Sequence, residues 1–373
     1  MARKWPYLAP MSTSAFKAPR FATHTAGQPF FQILTQRVNQ YFKEHNKSSK
    51  GDVRLYTKTG VLLVAFFATY VAVLYFGANF WAALPFWVIL GLLTSAIGFN
   101  VMHDGAHGSF SKYEWLNSLA GHTLSMLGAS VALWKNKHNA IHHTFTNIDG
   151  VDDDIEAGGM IRMAETQPHK GIHRVQHYYW PLLYSLLYIY WLAFTDFKKY
   201  FTGKVGDVPI RKFTFAEHLG FWAWKTVHTT MVAILPIYLI GFWPWFFGFI
   251  LMASITGLSL SVVFQLAHVV EGATFAKSDV VNPTNIESEW AVHQLQTTAN
   301  FATRSRVLTW LLGGLNYQVE HHLFPRISHV HYPAISRIVK ETCAEFNVQY
   351  QEFQTFADAL GAHVRHLKRL SIA

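Results

Sequence analysis

Residues 59–107 read TGVLLVAFFATYVAVLYFGANFWAALPFWVILGLLTSAIGFNVMHDGAH, an uncharged stretch that runs into two histidines four residues apart. The 44 residues from Thr59 to Met102 contain no Asp, Glu, Lys or Arg. A helix that crosses a bilayer needs about 20 apolar residues, so this stretch is long enough for two helices. Gly77-Ala78-Asn79 marks the turn between them. The stretch therefore predicts a membrane hairpin with His103 and His107 directly after its second helix.

A second stretch repeats this pattern. The 42 residues from Thr226 to Ala267 are also free of charged side chains, with a turn at Gly241-Phe242-Trp243-Pro244, and His268 follows directly. The two stretches predict an all-α integral membrane protein with four spanning helices in two hairpins. We place the four spans at about 60–78, 81–101, 226–242 and 245–267.

The composition agrees with a membrane protein. Charged residues make up 14% of the 373 residues, against about 25% in a typical soluble chain. Aromatic residues reach 16%, and the mean hydropathy is +0.14. The single cysteine, Cys343, excludes an internal disulfide and any cluster held by several cysteines within this chain. These values exclude a disordered chain and a disulfide scaffold.

The distribution of charge predicts the orientation. All 31 Lys and Arg lie outside the two hairpins, ten of them before Thr59. By the positive-inside rule, both termini and the central block face the cytosol. Residues 115–134 and 175–195 are also uncharged, but a crossing at either would place the histidine clusters on opposite sides of the bilayer. We therefore predict that neither crosses. The net charge of +9, clustered beside the spans, favours an anionic membrane surface over nucleic acid.

Three regions follow from these features. Residues 1–58 form a polar, basic cytosolic segment without a signal peptide. Within it, apolar residues at helical spacing predict an amphipathic helix at 29–46, on the membrane surface or on a cytosolic cap. Residues 59–345 form the main domain, and residues 346–373 form a cytosolic tail.

Histidine clusters carry the chemistry. After the HDGAH sequence come His138-Asn-Ala-Ile-His142-His143 and Gln318-Val-Glu-His321-His322. On a helix, residues four apart share a face and can bind one metal, as in His103/His107 and His138/His142. Adjacent histidines diverge by about 100° and can serve two metals. With His268 there are eight imidazoles, which suit two ions; imidazole alone leaves Fe, Cu, Ni and Zn open.

The isolated histidines are interpreted differently. Each is expected to be a hydrogen-bonded structural residue or a surface residue: His45, His122, His228, His293, His329, His363 and His366. His363 lies in the basic tail without a partner at metal-binding spacing, so its replacement by Ala is expected to leave activity nearly intact.

The three boxes HDGAH, HNAIHH and QVEHH, set around two membrane hairpins, resemble the membrane-bound fatty acid desaturase family over about residues 30–345. A Gln at the start of the third box resembles the front-end branch, which includes Δ5- and Δ6-type acyl desaturases. The resemblance implies a non-haem di-iron centre that uses O2 to insert a cis double bond into a fatty acyl chain. The metal ligands it implies are His103, His107, His138, His142, His143, His268, His321 and His322.

The resemblance also gives roles to residues around these histidines. Gln318 occupies the position of a further box histidine, so its amide oxygen is expected to bind iron directly or through a water. The alternative is that Gln318 supports the ligands without contact with the metal. Five residues are candidates to orient imidazole N–H groups: Asp104, Asn147, Asp153, Glu271 and Asn316.

Electrons are expected to come from another protein. No two glycines are two residues apart, so a Gly-x-Gly dinucleotide fingerprint is missing from this sequence. The chain also contains no His-Pro dipeptide, hence no His-Pro-Gly-Gly motif of the cytochrome b5 domain fused to many front-end desaturases. This departure favours a separate donor, a ferredoxin or a free cytochrome b5, and a bacterial inner membrane over the endoplasmic reticulum.

Two other functions stay open at this point. A hydroxylase on the same di-iron scaffold has the same boxes, and only its product would differ. A histidine-rich metal transporter should have polar or ionisable groups in the middle of its spans. The four predicted spans are nearly free of such groups, apart from His228, which argues against transport. The position of the double bond, the length of the acyl chain and the headgroup do not follow from the boxes.

Overall fold

A computed structural model of the chain describes residues 17–23, 29–278 and 283–372. The first sixteen residues of the predicted N-terminal segment lie outside these ranges. Within them, four helices are long and apolar enough to cross a membrane. We call them the first to fourth spanning helices, and their bounds are Val53–Phe76, Phe80–His107, Phe215–Ile240 and Phe242–His268. The predicted two-hairpin, largely helical fold is confirmed.

The third spanning helix begins at Phe215 rather than near residue 226. Its start is fixed by a capping box, in which the side chains of Thr214 and Glu217 bond each other's backbone N–H groups. Lys225, two turns further on, pairs with Asp196 at 2.8 Å. Because both charged side chains have partners, they do not end the helix. The uncharged stretch therefore marks only part of this span.

Small residues bring the second and fourth spanning helices into close contact. A Cβ atom on Gly91 would lie 2.7 Å from the carbonyl oxygen of Met252, and one on Gly248 would meet the ring of Trp87. Glycine is required at such close approaches. At the turn of the first hairpin, Gly77 lies against Ile240, the last residue of the third spanning helix. The turns of both hairpins are thus neighbours at one end of the bundle.

The remaining helices form a cap at the other end. Two of them, Lys135–His142 and Trp191–Thr195, are π-helical. The others are the α-helices Phe30–Glu44, Glu114–Met126, Val131–Trp134, His143–Phe145, Gln176–Ser185, Leu187–Tyr190, Asp196–Thr202, Trp290–Gln296, Arg306–Leu311, Gln318–Leu323, Tyr332–Glu345 and Phe356–Ile372, and the short 3-10 helices Asp153–Ile155, Gly171–Val175 and His329–His331. The uncharged segments at 115–134 and 175–195 fall in this set and are not among the four candidate spans of the described residues.

The N-terminal amphipathic helix, Phe30–Glu44, packs on the cap. Its buried face is Phe30, Leu34, Val38 and Phe42, which share an apolar cluster with residues of the Tyr332–Glu345 helix. Arg37 fastens the same contact through an ion pair with Glu345 at 2.6 Å. Of the two predicted positions for this helix, the structure has the one on the cap.

Four two-stranded pairings occur in the described residues, three between distant segments and one in a local hairpin. Their strands are Arg20–Phe21 with Asn285–Ile286, Ile148–Asp149 with Ala276–Lys277, Lys204–Val205 with Val208–Pro209, and Ala299–Phe301 with Gln351–Phe353. The last pairing and the Phe356–Ile372 helix make residues 351–372 part of the folded body. The interpretation of residues 346–373 as a tail is therefore wrong in this respect.

Candidate metal centre

Eight histidines converge where two spanning helices end. His103 and His107 form the last turn of the second spanning helix, and His268 is the last residue of the fourth. The other five come from the segments Lys135–His142, His143–Phe145 and Gln318–Leu323. None of the eight is more than 8% exposed. The predicted single shared site is thus formed by all three boxes and His268.

Their nitrogen atoms fall into two groups, each with all atoms within 4.8 Å of one another. The first group contains His103, His107, His138 and His321, and the second contains His142, His268 and His322. His103 and His107 share a group, as their spacing predicts. The adjacent His321 and His322 are divided between the groups, which the 100° divergence predicts. The geometry therefore offers two metal positions.

The second box departs from the predicted geometry because Lys135–His142 is a π-helix. In a π-helix the i→i+5 relation replaces the i→i+4 relation. His138 accordingly faces His143, with their Nε2 atoms 3.2 Å apart. His142 belongs to the other group, although His138, His142 and Asp154 also form a possible third set of ligands. The predicted pairing of His138 with His142 is therefore found only in this third set, and the two larger groups divide them.

His143 lies between the two groups. Its ring centre is 4.5 Å from that of His321 and 4.4 Å from that of His322, one member of each group. His143 is 1% exposed, and its Nδ1 atom has no hydrogen-bond partner among the described residues. Its position is compatible with either metal position.

The donor atoms fit a metal. The Nε2 atoms of His103, His107, His268, His321 and His322 are buried and have no hydrogen-bond partner within the described ranges. A buried polar atom without a partner is costly, so five of them facing one another need an explanation. Burial also lowers the pKa of His138, His143, His321 and His322 well below the ordinary value, which keeps them neutral. Neutral imidazole is the form that binds a metal.

Three neighbouring side chains and one backbone carbonyl fix the orientation of four rings through the Nδ1 atom. His142 donates to Asp152 at 3.0 Å, His268 to the carbonyl of Thr297 at 3.2 Å, and His322 to the amide oxygen of Gln294 at 2.8 Å. The Nδ1 atom of His321 lies 3.1 Å from the hydroxyl of Tyr332. Such bonds select the tautomer whose Nε2 atom is free to coordinate.

His142 has the most acidic surroundings of the eight. Burial acts to lower its pKa, but the carboxylates of Asp152 and Asp154 outweigh this effect and raise the pKa above the ordinary value. Asp154 in turn pairs with Lys137 at 2.6 Å. A carboxylate that accepts the Nδ1–H bond makes the opposite nitrogen a stronger metal ligand.

Two of the five predicted orienting residues act near the histidines, but not on a box imidazole. The carboxylate of Asp104 accepts a hydrogen bond from Ser328 at 2.6 Å and lies 3.1 Å from Nδ1 of His329, which is outside the boxes. Asn147 donates to the backbone carbonyl of His268 at 2.8 Å. Asp104 therefore contacts the ring of His329, whereas Asn147 stabilises the backbone at His268.

The prediction is wrong for the other three residues. Asp153 pairs with Lys199 at 2.7 Å, Glu271 with Arg365 at 2.7 Å, and Asn316 donates to the hydroxyl of Thr309 at 3.0 Å. In the Asp152-Asp153-Asp154 turn, Asp152 lies 3.0 Å and Asp154 3.3 Å from the Nδ1 atom of His142, whereas Asp153 is directed to Lys199. Which carboxylates of this turn contact the ring depends on the direction of each side chain in an irregular segment, and the sequence does not show that direction. Gln294, Thr297 and Tyr332 had no signal in the sequence.

Gln318 begins the short helix Gln318–Leu323, one turn before His321. It is 1% exposed, and its amide nitrogen has no hydrogen-bond partner in the described part of the chain. A buried amide that leaves a donor unpaired is unusual and places Gln318 among the polar groups that the fold alone does not satisfy. Its role at the metal remains a prediction.

A narrow apolar passage leads from the imidazoles into the helix bundle. It consists of two cavities of about 30 Å³ each. The first borders His103 and Trp134, and the second ends at Trp87 and Pro236. Both cavities are lined by Thr94, Leu127 and Tyr188, so they follow one another along the same path. Its lining is apolar beside His103, which is the polarity that a hydrocarbon chain requires.

Four helices long enough to cross a membrane, two of which end at a buried double group of imidazoles, define a membrane protein with a candidate metal centre beside apolar cavities. The sequence model of the family described as fatty acid desaturase matches residues 79–354. The chain belongs to this family and is a fatty acid desaturase.

Several curated relatives are similar over nearly the whole chain. An sn-1 linoleoyl-lipid 6-desaturase of Arthrospira platensis is 38% identical, with 92% of this chain and 93% of the relative covered. A protein of the same description from Synechocystis sp. is 35% identical over 94% and 97%. An acyl-lipid (8-3)-desaturase of Physcomitrium patens is 35% identical over 92% and 72%. These relatives include front-end types, as the third box predicts.

Proposed function

We propose that the two groups of imidazoles hold two iron ions, and that the chain inserts a cis double bond into the acyl chain of a membrane lipid. The observation that carries this proposal is the set of five buried Nε2 atoms that face one another without partners. When bound, iron supplies with O2 the redox chemistry that removes hydrogen from an unactivated methylene, which no side chain can do.

The proposed ligands are the seven histidines of the two groups together with His143, and Gln318 joins them directly or through a water. The residues that hold the rings are Asp152, Thr297, Gln294 and Tyr332. Their bonds to Nδ1 atoms leave the Nε2 atoms free before any ion binds. The centre is therefore preorganised by the fold, which lowers the cost of assembling it.

The proposed substrate is an acyl-lipid, the class named in the descriptions of the three relatives. The passage supports this because its walls are apolar and its first cavity touches His103. Trp134, Leu260 and Phe264 line this part of the passage and keep water from the methylene groups beside the histidines. Rigid walls of this kind hold the acyl chain in one register.

We propose that a separate ferredoxin or free cytochrome b5 delivers the electrons. The 373 residues contain one cysteine and no His-Pro-Gly-Gly motif, so a donor group within them has no evident ligands. O2 is then reduced to water by electrons taken partly from the acyl chain and partly from this donor.

We propose a cytosolic position for the centre and both termini, in a bacterial inner membrane. The support is that residues 59–102 and 226–267, which include the turns of both hairpins, contain no Lys or Arg. Tags at either terminus and in the 150–175 loop should all be accessible from the cytosolic side only. External labelling of the loop tag would contradict this topology.

Iron analysis and lipid profiling together test the function. After anaerobic reconstitution, the purified protein should bind about two iron ions per chain, because it offers two groups of ligands. A host that expresses the chain should accumulate lipids with one added cis double bond. A hydroxylated product would favour the hydroxylase instead. One iron per chain, or zinc retained in an active sample, would contradict the di-iron proposal.

A further inference from the structure

A larger cavity adjoins the outer end of the passage. It has a volume of about 400 Å³ and lies between the Glu114–Met126 helix, the start of the second box and the first turns of the third spanning helix. We call it the mouth cavity. Ala129 lines both this cavity and the part of the passage that contains His103. The mouth cavity and the cavity beside His103 therefore lie on either side of Ala129.

Three cationic side chains line the mouth cavity, and they are Lys135, Arg211 and Lys225. Asn136 and Glu217 are among its other polar groups. Arg211 is neutralised by Glu217, with 2.8 Å between Nη1 and Oε2. Lys225 is neutralised by Asp196 at 2.8 Å and also donates to the carbonyl of Gly128 at 2.7 Å. Two of the three positive charges thus have partners within the protein.

Lys135 differs from the other two. Within the described residues its ammonium group makes no hydrogen bond and no ion pair. It is only partly exposed, and burial lowers its pKa from the ordinary value. A partly buried cation without a counter-ion is unfavourable unless a ligand supplies the negative charge. The mouth cavity therefore carries one positive charge that the protein does not balance.

We propose that the mouth cavity binds the phosphodiester of a glycerophospholipid and that Lys135 is its cation. This inference rests on the proposed function, because it assigns the headgroup of the acyl-lipid whose chain enters the passage. The single negative charge of a phosphodiester matches the single unbalanced charge of the cavity. Lys135 lies three residues before His138, so a headgroup bound there leaves the carboxyl end of the acyl chain close to the imidazoles.

The position of the cavity favours a lipid over a water-soluble thioester. Its wall includes Gly220, Phe221 and Trp224 of the third spanning helix, in the end of that helix that also carries Glu217 and Lys225. Charged residues and Trp at the end of a spanning helix lie at the level of lipid headgroups. Coenzyme A would bring several phosphate charges to a cavity that has one free cation. A galactolipid would bring none.

Binding to the iron-free protein tests the proposal without any turnover. The probe is a fluorescent-acyl phosphatidylglycerol in detergent, compared with a galactosyl diacylglycerol and an acyl-CoA that carry the same chain. Lys135→Met should raise the Kd for phosphatidylglycerol about tenfold or more, since hydrogen bonds to charged groups are strong. Lys135→Arg should retain most of the affinity, and the Kd for the galactolipid should not change. Lys198→Met, at an exposed lysine outside the cavity, is the matched control.

The outcomes separate this proposal from the proposed function. A Lys135-dependent Kd for phosphatidylglycerol supports the headgroup assignment even if no desaturated product is ever found. Equal binding of phosphatidylglycerol and galactolipid, unchanged in Lys135→Met, overturns it while leaving the desaturase intact. Preference for acyl-CoA overturns it as well. If Lys135→Met does not fold, Lys135→Gln repeats the test with a polar side chain of similar length.

Discussion

The Nδ1 atom of His142 lies 3.0 Å from Oδ2 of Asp152, and both side chains are buried. The same carboxylate accepts the backbone N–H of Asn147 at 2.9 Å. The backbone just after the second box thus fixes the carboxylate of Asp152, and this carboxylate in turn fixes the ring of His142. Through this bond the Nε2 atom of His142 is directed at His268 and His322, the other members of its group.

Asp152→Asn should weaken metal binding at the group that contains His142. The amide cannot supply the carboxylate charge that raises the basicity of the ring, and loss of such a partner typically costs about 10- to 100-fold in metal affinity or activity. Asp153→Asn removes a charge in the same turn but contacts Lys199 instead of a ring, so it is the control. Iron content after dialysis against a chelator gives the comparison. Equal iron loss in both variants would mean that the charge of the turn, and not its contact with His142, matters.

The boxes were informative because local spacing places their histidines. His103 and His107 share a regular helical turn, and His321 and His322 diverge as neighbours on a helix must. Spacing does not predict the pairing of His138 in the second box, because the segment is a π-helix and not a regular α-helix. Nothing in the residue types of that segment indicates the wider turn. The assignment of His138 to a group depends on how the segment packs.

The C-terminal residues show a second kind of structure that the sequence does not predict, which is a contact between distant segments. The pairing of Gln351–Phe353 with Ala299–Phe301 joins segments about fifty residues apart, and no local pattern in the sequence predicts it. Once it forms, the following helix lies against the fourth spanning helix and the Gln176–Ser185 helix. His363 is therefore 1% exposed and not on a tail. The contacts that bury it are all long-range.

His363→Ala should destabilise the protein, contrary to the expectation from its isolated position in the sequence. Both ring nitrogens of His363 have hydrogen-bond partners. Nδ1 donates to the carbonyl of Val269 at 2.6 Å, and Nε2 lies 3.0 Å from the hydroxyl of Tyr184. Removal leaves both buried groups unpaired, at about 1–3 kcal/mol each. Because Val269 follows His268, iron retention should fall as well. Thermal unfolding in detergent measures the first effect, with exposed His45→Ala as control. A Tm equal to that of the wild type would restore the surface interpretation.

Gly91→Leu should separate the two helices that end at His103 and His268. A Cβ at this position would already lie 2.7 Å from the carbonyl of Met252 and 3.0 Å from the side chain of Ile255. Overpacking of this kind costs about 1–3 kcal/mol. The matched control is Gly60→Leu in the first spanning helix, where an added Cβ meets nothing within 4 Å. Only the Gly91 variant should lose Tm and iron together. Loss of Tm with full iron content would show that the imidazoles do not depend on this contact.

Gln318 allows the metal to be tested through one side chain. It is buried one helical turn before His321, and its amide nitrogen is unpaired among the described residues. If its oxygen binds iron or an iron-bound water, Gln318→His should preserve iron and part of the activity, because imidazole can take the same role. Gln318→Ala should then lose more of both, since it removes a polar group without replacement.

If Gln318 only packs beside the centre, the order of the two variants should reverse. The rigid imidazole ring would overpack a site that is 1% exposed, whereas Ala would leave a small cavity. Iron content and product yield at matched expression decide between the two, with Tm measured for both so that a folding defect is recognised. A Gln318→Ala variant that holds more iron than Gln318→His would end the ligand interpretation. The two groups of imidazoles and His143 would then be the whole set of side chains available to the two ions.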